Sequence, residues 1–111
     1  MVRLSVGSIV LVQFPFSDLT KSKLRPAMVL ADVGRDDWIL CQITSNPYSD
    51  PQAIEIKSND FTSGSLNRTS YARPGKLFSA NTSIMIRNIG LLEERKIGVV
   101  LNAVISLFQS R

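Results

Sequence analysis

Apolar residues recur along this chain in short bursts, separated by polar stretches that carry its prolines and glycines, which is the rhythm of small strands and tight connections. "IVLVQFPF", Ile9 to Phe16, is β-branched and aromatic, follows Gly7-Ser8, and predicts a first strand with Pro15 at an edge or bend. A polar loop from Ser17 to Leu24 leads to "PAMVLAD", Pro26 to Asp32, apolar on both faces and therefore a buried second strand. Gly34 to Asp37 form a hairpin turn, and "WILCQIT", Trp38 to Thr44, returns as the third strand. "NPYSDP", Asn46 to Pro51, is a loop, "AIEI" a half-exposed strand, and Lys57 to Thr69 a polar connection. "YARPGKLFSA" and "SIMIRNIG" read as strand pieces broken by Pro74-Gly75. The period then changes: Ile97, Val100, Leu101, Val104, Ile105 and Phe108 fall at helical spacing between Leu92 and Gln109. Glu93 and Glu94 suit the first turn of that helix, where its dipole favours negative charge. Five or six short strands ending in one helix predict a small curled sheet or barrel capped by the helix, a single domain over residues 1–111.

Composition narrows the function classes. With 44% apolar and 20% charged residues the chain can bury a core, so a disordered chain is not expected. Its net charge of +4 favours a polyanionic partner such as nucleic acid. One cysteine, Cys41, excludes an internal disulfide, and the absence of histidine removes the usual zinc ligand sets and any Ser-His or Cys-His nucleophile. Cys41 lies within "WILCQI" and is expected to be a buried, inert thiol. No segment reaches the roughly 20 apolar residues of a membrane span, no secretory signal is evident, and a cytoplasmic location is expected. Glycine-rich phosphate loops and metal clusters are absent from the sequence, and no cofactor is implied. The neighbours Asp36 and Asp37 point apart, as a solvated hairpin tip does, and not as an acid/base pair.

What remains is polar residues at strand ends. Pro26 biases Arg25 toward extended backbone and gives its guanidinium a defined exit. In a hairpin turning near Asp36, Arg25 and Thr44 fall at the same far end and can face one another. Spacing alone leaves two readings open: a surface ion pair for Arg25 with Asp18 beside a strand-ending hydroxyl, or a pair that receives an anion.

"GSIVLVQFPFSD", the short basic loop after it, "KLRPAMVLAD", the "QITSN" strand end, "SYARPGKLFSA" and "IGLLEERKIGVVLNAV" together resemble the MazF/PemK family of toxin endoribonucleases from bacterial toxin-antitoxin pairs. The resemblance runs over nearly the whole chain, and the opening strand and the Arg25-Pro26 pair are its most specific parts. It implies a mainly β fold, an SH3-like β-barrel of MazF/CcdB type with a C-terminal helix, assembled as a homodimer. It implies metal-independent, sequence-specific cleavage of single-stranded RNA, with Arg25 and Thr44 as the catalytic pair. An acidic, partly disordered antitoxin is the expected protein partner, with operator DNA bound only through the antitoxin complex and no membrane contact. Lys21, Lys23, Ser45 and Asn46 are the candidate RNA-binding residues beside that pair. Tyr71, Phe14 and Phe16 are candidates for base stacking, although an aromatic in a small barrel is more often part of the core or a subunit contact. Two positions depart from the family pattern: Phe78 stands where many members carry a basic residue, and Asn81 where they carry an aspartate. The rival is a non-catalytic nucleic-acid-binding module or a gyrase-directed toxin, since such a toxin shares this fold and fold does not fix function.

Overall fold

In the computed structural model, residues 4–15 and 22–110 are described. Seven strands form one antiparallel sheet: β1 (Ser8–Pro15), β2 (Ser22–Gly34), β3 (Asp37–Thr44), β4 (Ile54–Ile56), β5 (Phe61–Gly64), β6 (Ser70–Asn81) and β7 (Met85–Leu92), in the order β4-β6-β3-β2-β1-β7-β5. Register shifts in four of the ladders, between Ile9 and Val10 of β1 and between Cys41 and Ile43 of β3 among them, bend the strands and curl the sheet into a partial barrel. Helix α1 (Glu94–Gln109) closes it.

Alternating residues of these strands bury two apolar clusters, one on each face. Ile9, Met28, Cys41, Ile43, Ile56, Ala72 and Leu92 meet Val100 and Val104 of α1 in the first. Val10, Val12, Ala27, Val29, Leu40, Ala80 and Met85 make the second, with Trp38 and Phe78 against it. A central strand apolar on both faces therefore suits β2, as its sequence predicts.

The expected mainly β fold with a closing helix is observed, with four differences of detail. Strand β2 begins at Ser22, four residues before Pro26, because Lys23 to Arg25 continue the ladder with β1 through Phe14↔Lys23 and Val12↔Arg25. The polar connection after Lys57 contains strand β5, which pairs on the edge of β7. Pro74 does not break β6; it sits where the β3–β6 ladder shifts register, a place that needs no amide donor. The apolar stripe of α1 is narrower than its spacing predicts: Ile97, Val100, Leu101 and Val104 pack on the core, while Ile105 and Phe108 are 49% and 70% exposed.

Buried Asp60 fixes the start of α1. Its carboxylate accepts from the Lys57 amide at 2.8 Å and lies 3.7 Å from Lys96 Nζ, while its carbonyl accepts from the Glu93 amide at 2.8 Å. Through side chain and backbone together, this one acidic residue ties the segment after β4 to the helix N-terminus, where the macrodipole also favours its charge.

Candidate functional site

The register Ala27↔Gln42, Met28↔Cys41 of β2 and β3, continued two residues, sets Arg25 opposite Thr44. Directly opposed residues in an antiparallel pair stand about 4.5–5.5 Å apart at Cα. Side chains alternate, so Arg25 lies on the face of Val12 and Ala27, and Thr44 on the face of Gln42. The two groups proposed from the sequence are therefore brought to one face of adjoining strands, each half-buried. Tyr71 of β6 pairs with Thr44 on the other side, so Arg25, Thr44 and Tyr71 form a row across three strands.

Thr44 ends β3 with its hydroxyl oxygen accepting from the Asn46 amide at 3.1 Å, which leaves its O–H to donate elsewhere. The chain then turns through a relay of side-chain caps: the Asn46 carbonyl oxygen takes the Tyr48 amide at 2.9 Å, and Asp50 takes the Gln52 amide at 2.9 Å. Tyr48 and Ser49 hold positive φ of 54° and 59°, a conformation that this relay supports.

A second arginine locks the loop. Arg73 Nε donates to Asp50 Oδ2 at 3.0 Å, its Nη1 donates to Gln42 Oε1 at 3.4 Å, and its guanidinium lies 5.4 Å from the Tyr48 ring centroid. The Gln52 amide and then the Arg73 guanidinium hold the Asp50 carboxyl below its ordinary value. Arg73 is not among the residues singled out from the sequence, although a second Arg-Pro pair, Arg73-Pro74, repeats the signal that drew attention to Arg25. Cys41 is fully buried and donates to the Arg73 carbonyl at 3.1 Å; burial pushes its thiol up to about 12, as befits the inert role its sequence context predicts.

Among the other candidates, Lys23 shares the Arg25 face, two residues away on β2, and is exposed. Ser45 and Asn46 are exposed at the end of β3. Lys21, Asp18, Phe16 and the Phe14 side chain lie outside the described residues. Asn81, at the position where the family pattern has an aspartate, is remote from the pair: it donates to Asp37 Oδ1 at 2.8 Å and to the Arg35 carbonyl at 3.2 Å, clamping the β2–β3 hairpin tip. From Asp37 to Thr44, strand β3 runs about 23 Å at 3.3 Å per residue.

A cavity of about 560 Å³ opens on the opposite face of the same strands. Pro26 and Ser45, the residues that follow Arg25 and Thr44, are in its wall, together with residues of the segment after β5 and of β7. Among the described residues no group of His, Cys, Asp and Glu side chains is placed to hold a metal, and no helix is long and apolar enough to cross a membrane.

A family model described as "PemK-like, MazF-like toxin of type II toxin-antitoxin system" matches residues 5–108. No curated protein matches the chain in sequence. Solved structures match its fold over nearly their full length. The MazE-MazF structure (Form-III) from Deinococcus radiodurans superposes with a TM-score of 0.77 at 15% identity, covering 97% of this chain and 98% of that one. An endoribonuclease in complex with its cognate antitoxin from a mycobacterial species gives 0.75 at 10% identity, covering 98% and 96%. The Mycobacterium tuberculosis toxin MazF-mt6 gives 0.70 at 18% identity, covering 92% and 96%.

Proposed function

The chain belongs to the PemK-like, MazF-like toxin family of type II toxin-antitoxin systems, and from that premise we propose that it is a sequence-specific endoribonuclease acting through Arg25 and Thr44 on single-stranded RNA. The single observation that carries this reading is the meeting of a permanent cation and a donor hydroxyl on one face of adjoining strands. Two fold neighbours add support, one an endoribonuclease in complex with its cognate antitoxin and one a MazF toxin.

The chemistry asks little of the protein. The RNA 2′-hydroxyl attacks its own phosphorus, a new 2′-O–P bond forms, and the P–O5′ bond breaks in line. The 2′ proton passes to solvent and the 5′ oxygen takes one up, leaving a 2′,3′-cyclic phosphate and a 5′-hydroxyl. Arg25, always charged and forked, donates to the non-bridging oxygens as negative charge builds on the phosphorane, and polarises the departing 5′ oxygen. The Thr44 hydroxyl donates to the same phosphate. Lys21 and Lys23 follow the RNA backbone, and Ser45 and Asn46 contact the nucleotide beside Thr44.

The protein partner in this reading is an acidic antitoxin segment that folds onto the basic surface, as the cognate antitoxin of the mycobacterial neighbour and MazE of the Deinococcus pair suggest. Operator DNA is bound only through that complex. A second copy of the chain completes a homodimer, supported by Ile105 and Phe108, which α1 leaves exposed in the single chain. The cytoplasm, where mRNA is found, is the working compartment.

Incubation with mixed-sequence single-stranded RNA in excess chelator tests the reading. Cyclic phosphate ends are expected from the native chain, with a loss of at least about a hundredfold for Arg25→Ala, the scale of removing one transition-state donor. Equal cutting by the native chain and Arg25→Ala overturns the assignment, and stalled gyrase without RNA cleavage favours the gyrase-directed alternative.

A further inference from the structure

The row formed by Arg25, Thr44 and Tyr71 runs on across one more strand. Glu55 of β4 pairs directly with Tyr71, as Tyr71 does with Thr44, so these residues share one face of the sheet. Their neighbours agree, since Ile54, Ile56 and Ala72 turn the other way, to the core cluster under α1. Strand β4 is an edge of the sheet, which leaves Glu55 exposed at the open rim of the Arg25 face. Its backbone is held all the same, because Lys96 of α1 donates to the Glu55 carbonyl at 3.1 Å.

No other carboxylate among the described residues is so placed. Asp32, Asp36 and Asp37 belong to the hairpin tip at the far end of β3, where Asp32 Oδ1 takes the Gly34 amide at 2.9 Å. Asp50 lies near the site, but both its oxygens are occupied, one by the Gln52 amide and one by Arg73 Nε. Asp60 is buried against the Lys57 amide, and Glu93 and Glu94 stand at the start of α1, which packs on the other face. Glu55 has one ion-pair partner among the described residues, Lys57 at 3.5 Å; with the two side chains 48% and 58% exposed, that pair is loose enough to open for a ligand. Arg25 and the Thr44 hydroxyl act on a phosphate as donors, and the chain has no histidine, so the attacking hydroxyl needs its proton acceptor elsewhere.

Resting on the nuclease reading, we propose that Glu55 is the general base of the cleavage, taking the 2′ proton and handing it on to solvent. In-line displacement puts the attacking and leaving oxygens on opposite sides of the phosphorus, and the row carries its groups in that order: Arg25 at one end for the departing 5′ oxygen, Thr44 for the phosphate, Glu55 at the other end for the 2′-hydroxyl. Directly opposed residues stand about 4.5–5.5 Å apart at Cα, which sets Glu55 about 10 Å from Thr44 across Tyr71. The scissile nucleotide fills that interval. A ribose over Tyr71, with its phosphate on Thr44, turns the 2′-hydroxyl toward the rim, and the Glu55 side chain closes the rest. The step balances: the 2′-O–H bond breaks and its proton goes to a Glu55 carboxylate oxygen, the 2′-O–P bond forms, the P–O5′ bond breaks, and water protonates the 5′ oxygen. Glu55 then returns its proton to the water that reaches it at the sheet edge, and no co-reactant is consumed.

Single-turnover cleavage of mixed-sequence single-stranded RNA by the native chain, Glu55→Gln and Glu55→Ala tests the role. Both variants are expected to lose about a hundredfold in rate, the lower end of what a general base supplies, with the half-saturating RNA concentration and the melting temperature retained. Added formate, a small carboxylate, should restore part of the rate to Glu55→Ala and none to Arg25→Ala, while chloride at equal ionic strength restores none to either. Native rates in both Glu55 variants overturn the proposal and leave the nuclease reading standing, as does a loss confined to Asp18→Asn, the carboxylate between β1 and β2. A raised half-saturating concentration at an unchanged rate makes Glu55 a ground-state contact and overturns it too. So does a lost rate that formate leaves untouched, which marks a structural role. A native chain that cuts no RNA refutes the nuclease reading and the base together.

Discussion

Arg73 Nε donates to Asp50 Oδ2 at 3.0 Å, and with side chains only 16% and 13% exposed this pair ties the loop that follows Thr44 to strand β6. The arginine also holds Gln42, next-but-one to Thr44, and covers Tyr48 in the loop itself. Arg73 thus acts on the site through its neighbours, as a positioning residue. Arg73→Met is expected to lower RNA cleavage by up to about a hundredfold, because a misplacement of about 1 Å at a reacting group costs that much. The loss should fall on kcat more than on KM. Arg73→Lys should recover only part of it, since an ammonium cannot serve Asp50 and Gln42 with a planar fork. Single-turnover kinetics on the three chains decide the matter; full activity in Arg73→Met rejects the role.

The same pair gives a pH dependence with a definite sign. The Gln52 amide and the Arg73 guanidinium stabilise ionised Asp50, so its carboxyl titrates below the ordinary value of 3.8 when folded. A group lowered in the folded state contributes stability that is complete above its unfolded value and is lost as pH falls through the folded one. The melting-temperature gap between the native chain and Asp50→Asn is therefore expected to be constant down to the ordinary carboxylate value and to shrink below it. A gap that widens on acidification contradicts the assignment.

Much of this architecture is legible in the sequence wherever burial imposes a period. Ile9 to Val12 and Trp38 to Ile43 read as strands because they face a core, and Ile97 to Val104 as helix because one stripe of them does. Lys23 to Arg25 leave no such signal: they extend the β1–β2 ladder beyond the last β2–β3 pair, Ala27↔Gln42, and the strand there is held by backbone pairing, which composition does not record. Phe61 to Gly64 were hidden for a similar reason, since an edge strand carrying one large apolar residue needs little burial. Arg25 and Thr44 could be placed at one end of the hairpin from the position of its turn, while the two register shifts that bring them directly opposite, between Val29 and Gly34, leave no mark in the sequence. The Asp50–Arg73 contact joins residues 23 apart through a loop whose path no periodicity specifies. The cavity lined by Leu11, Pro26, Ser45 and Arg87 is assembled from segments even farther apart, which no periodicity relates.

The tip of the β2–β3 hairpin carries removable strain. Arg35 and Asp36 both hold positive φ, 57° and 63°, the mirror-image turn that matches strand twist but suits Asn-Gly far better than these residues. Asn81 and the Thr82 amide grip the tip through the carbonyls of Arg35 and Asp36, so those contacts survive a change of side chain. Arg35→Asn with Asp36→Gly is expected to stabilise the chain by about 1 kcal/mol, a share of the cost of left-handed conformation in ordinary residues. Denaturant melts of the two chains measure it directly, and an unchanged midpoint shows that Asn81 already compensates the strain.

Cys41 should be silent in the folded chain. Its thiol is fully buried, donates to the Arg73 carbonyl, and is pushed up to about 12 by burial, so thiolate is scarce and reagents have no access. Alkylation at neutral pH is expected only under denaturant, at a rate that follows unfolding. Rapid labelling of the native chain would show that strands β3 and β6 part readily where they cover it.

Thr44 allows the hydroxyl's chemistry to be separated from its structural duty. Its oxygen accepts from the Asn46 amide at 3.1 Å, at an exposed turn where water can replace it. Thr44→Ser preserves both acceptor and donor and should cut RNA within a few-fold of the native chain. Thr44→Val keeps the β-branched shape that suits a strand end but removes both hydrogen bonds. Its melting temperature is expected to move little, while cleavage falls by about a hundredfold, the scale of one donor to the developing phosphorane. Affinity of the same variant for uncleaved RNA should change far less than its rate, because the lost bond strengthens only as charge accumulates. Were affinity and rate to fall together, Thr44 would be a ground-state binding residue, and Arg25 alone would carry transition-state stabilisation.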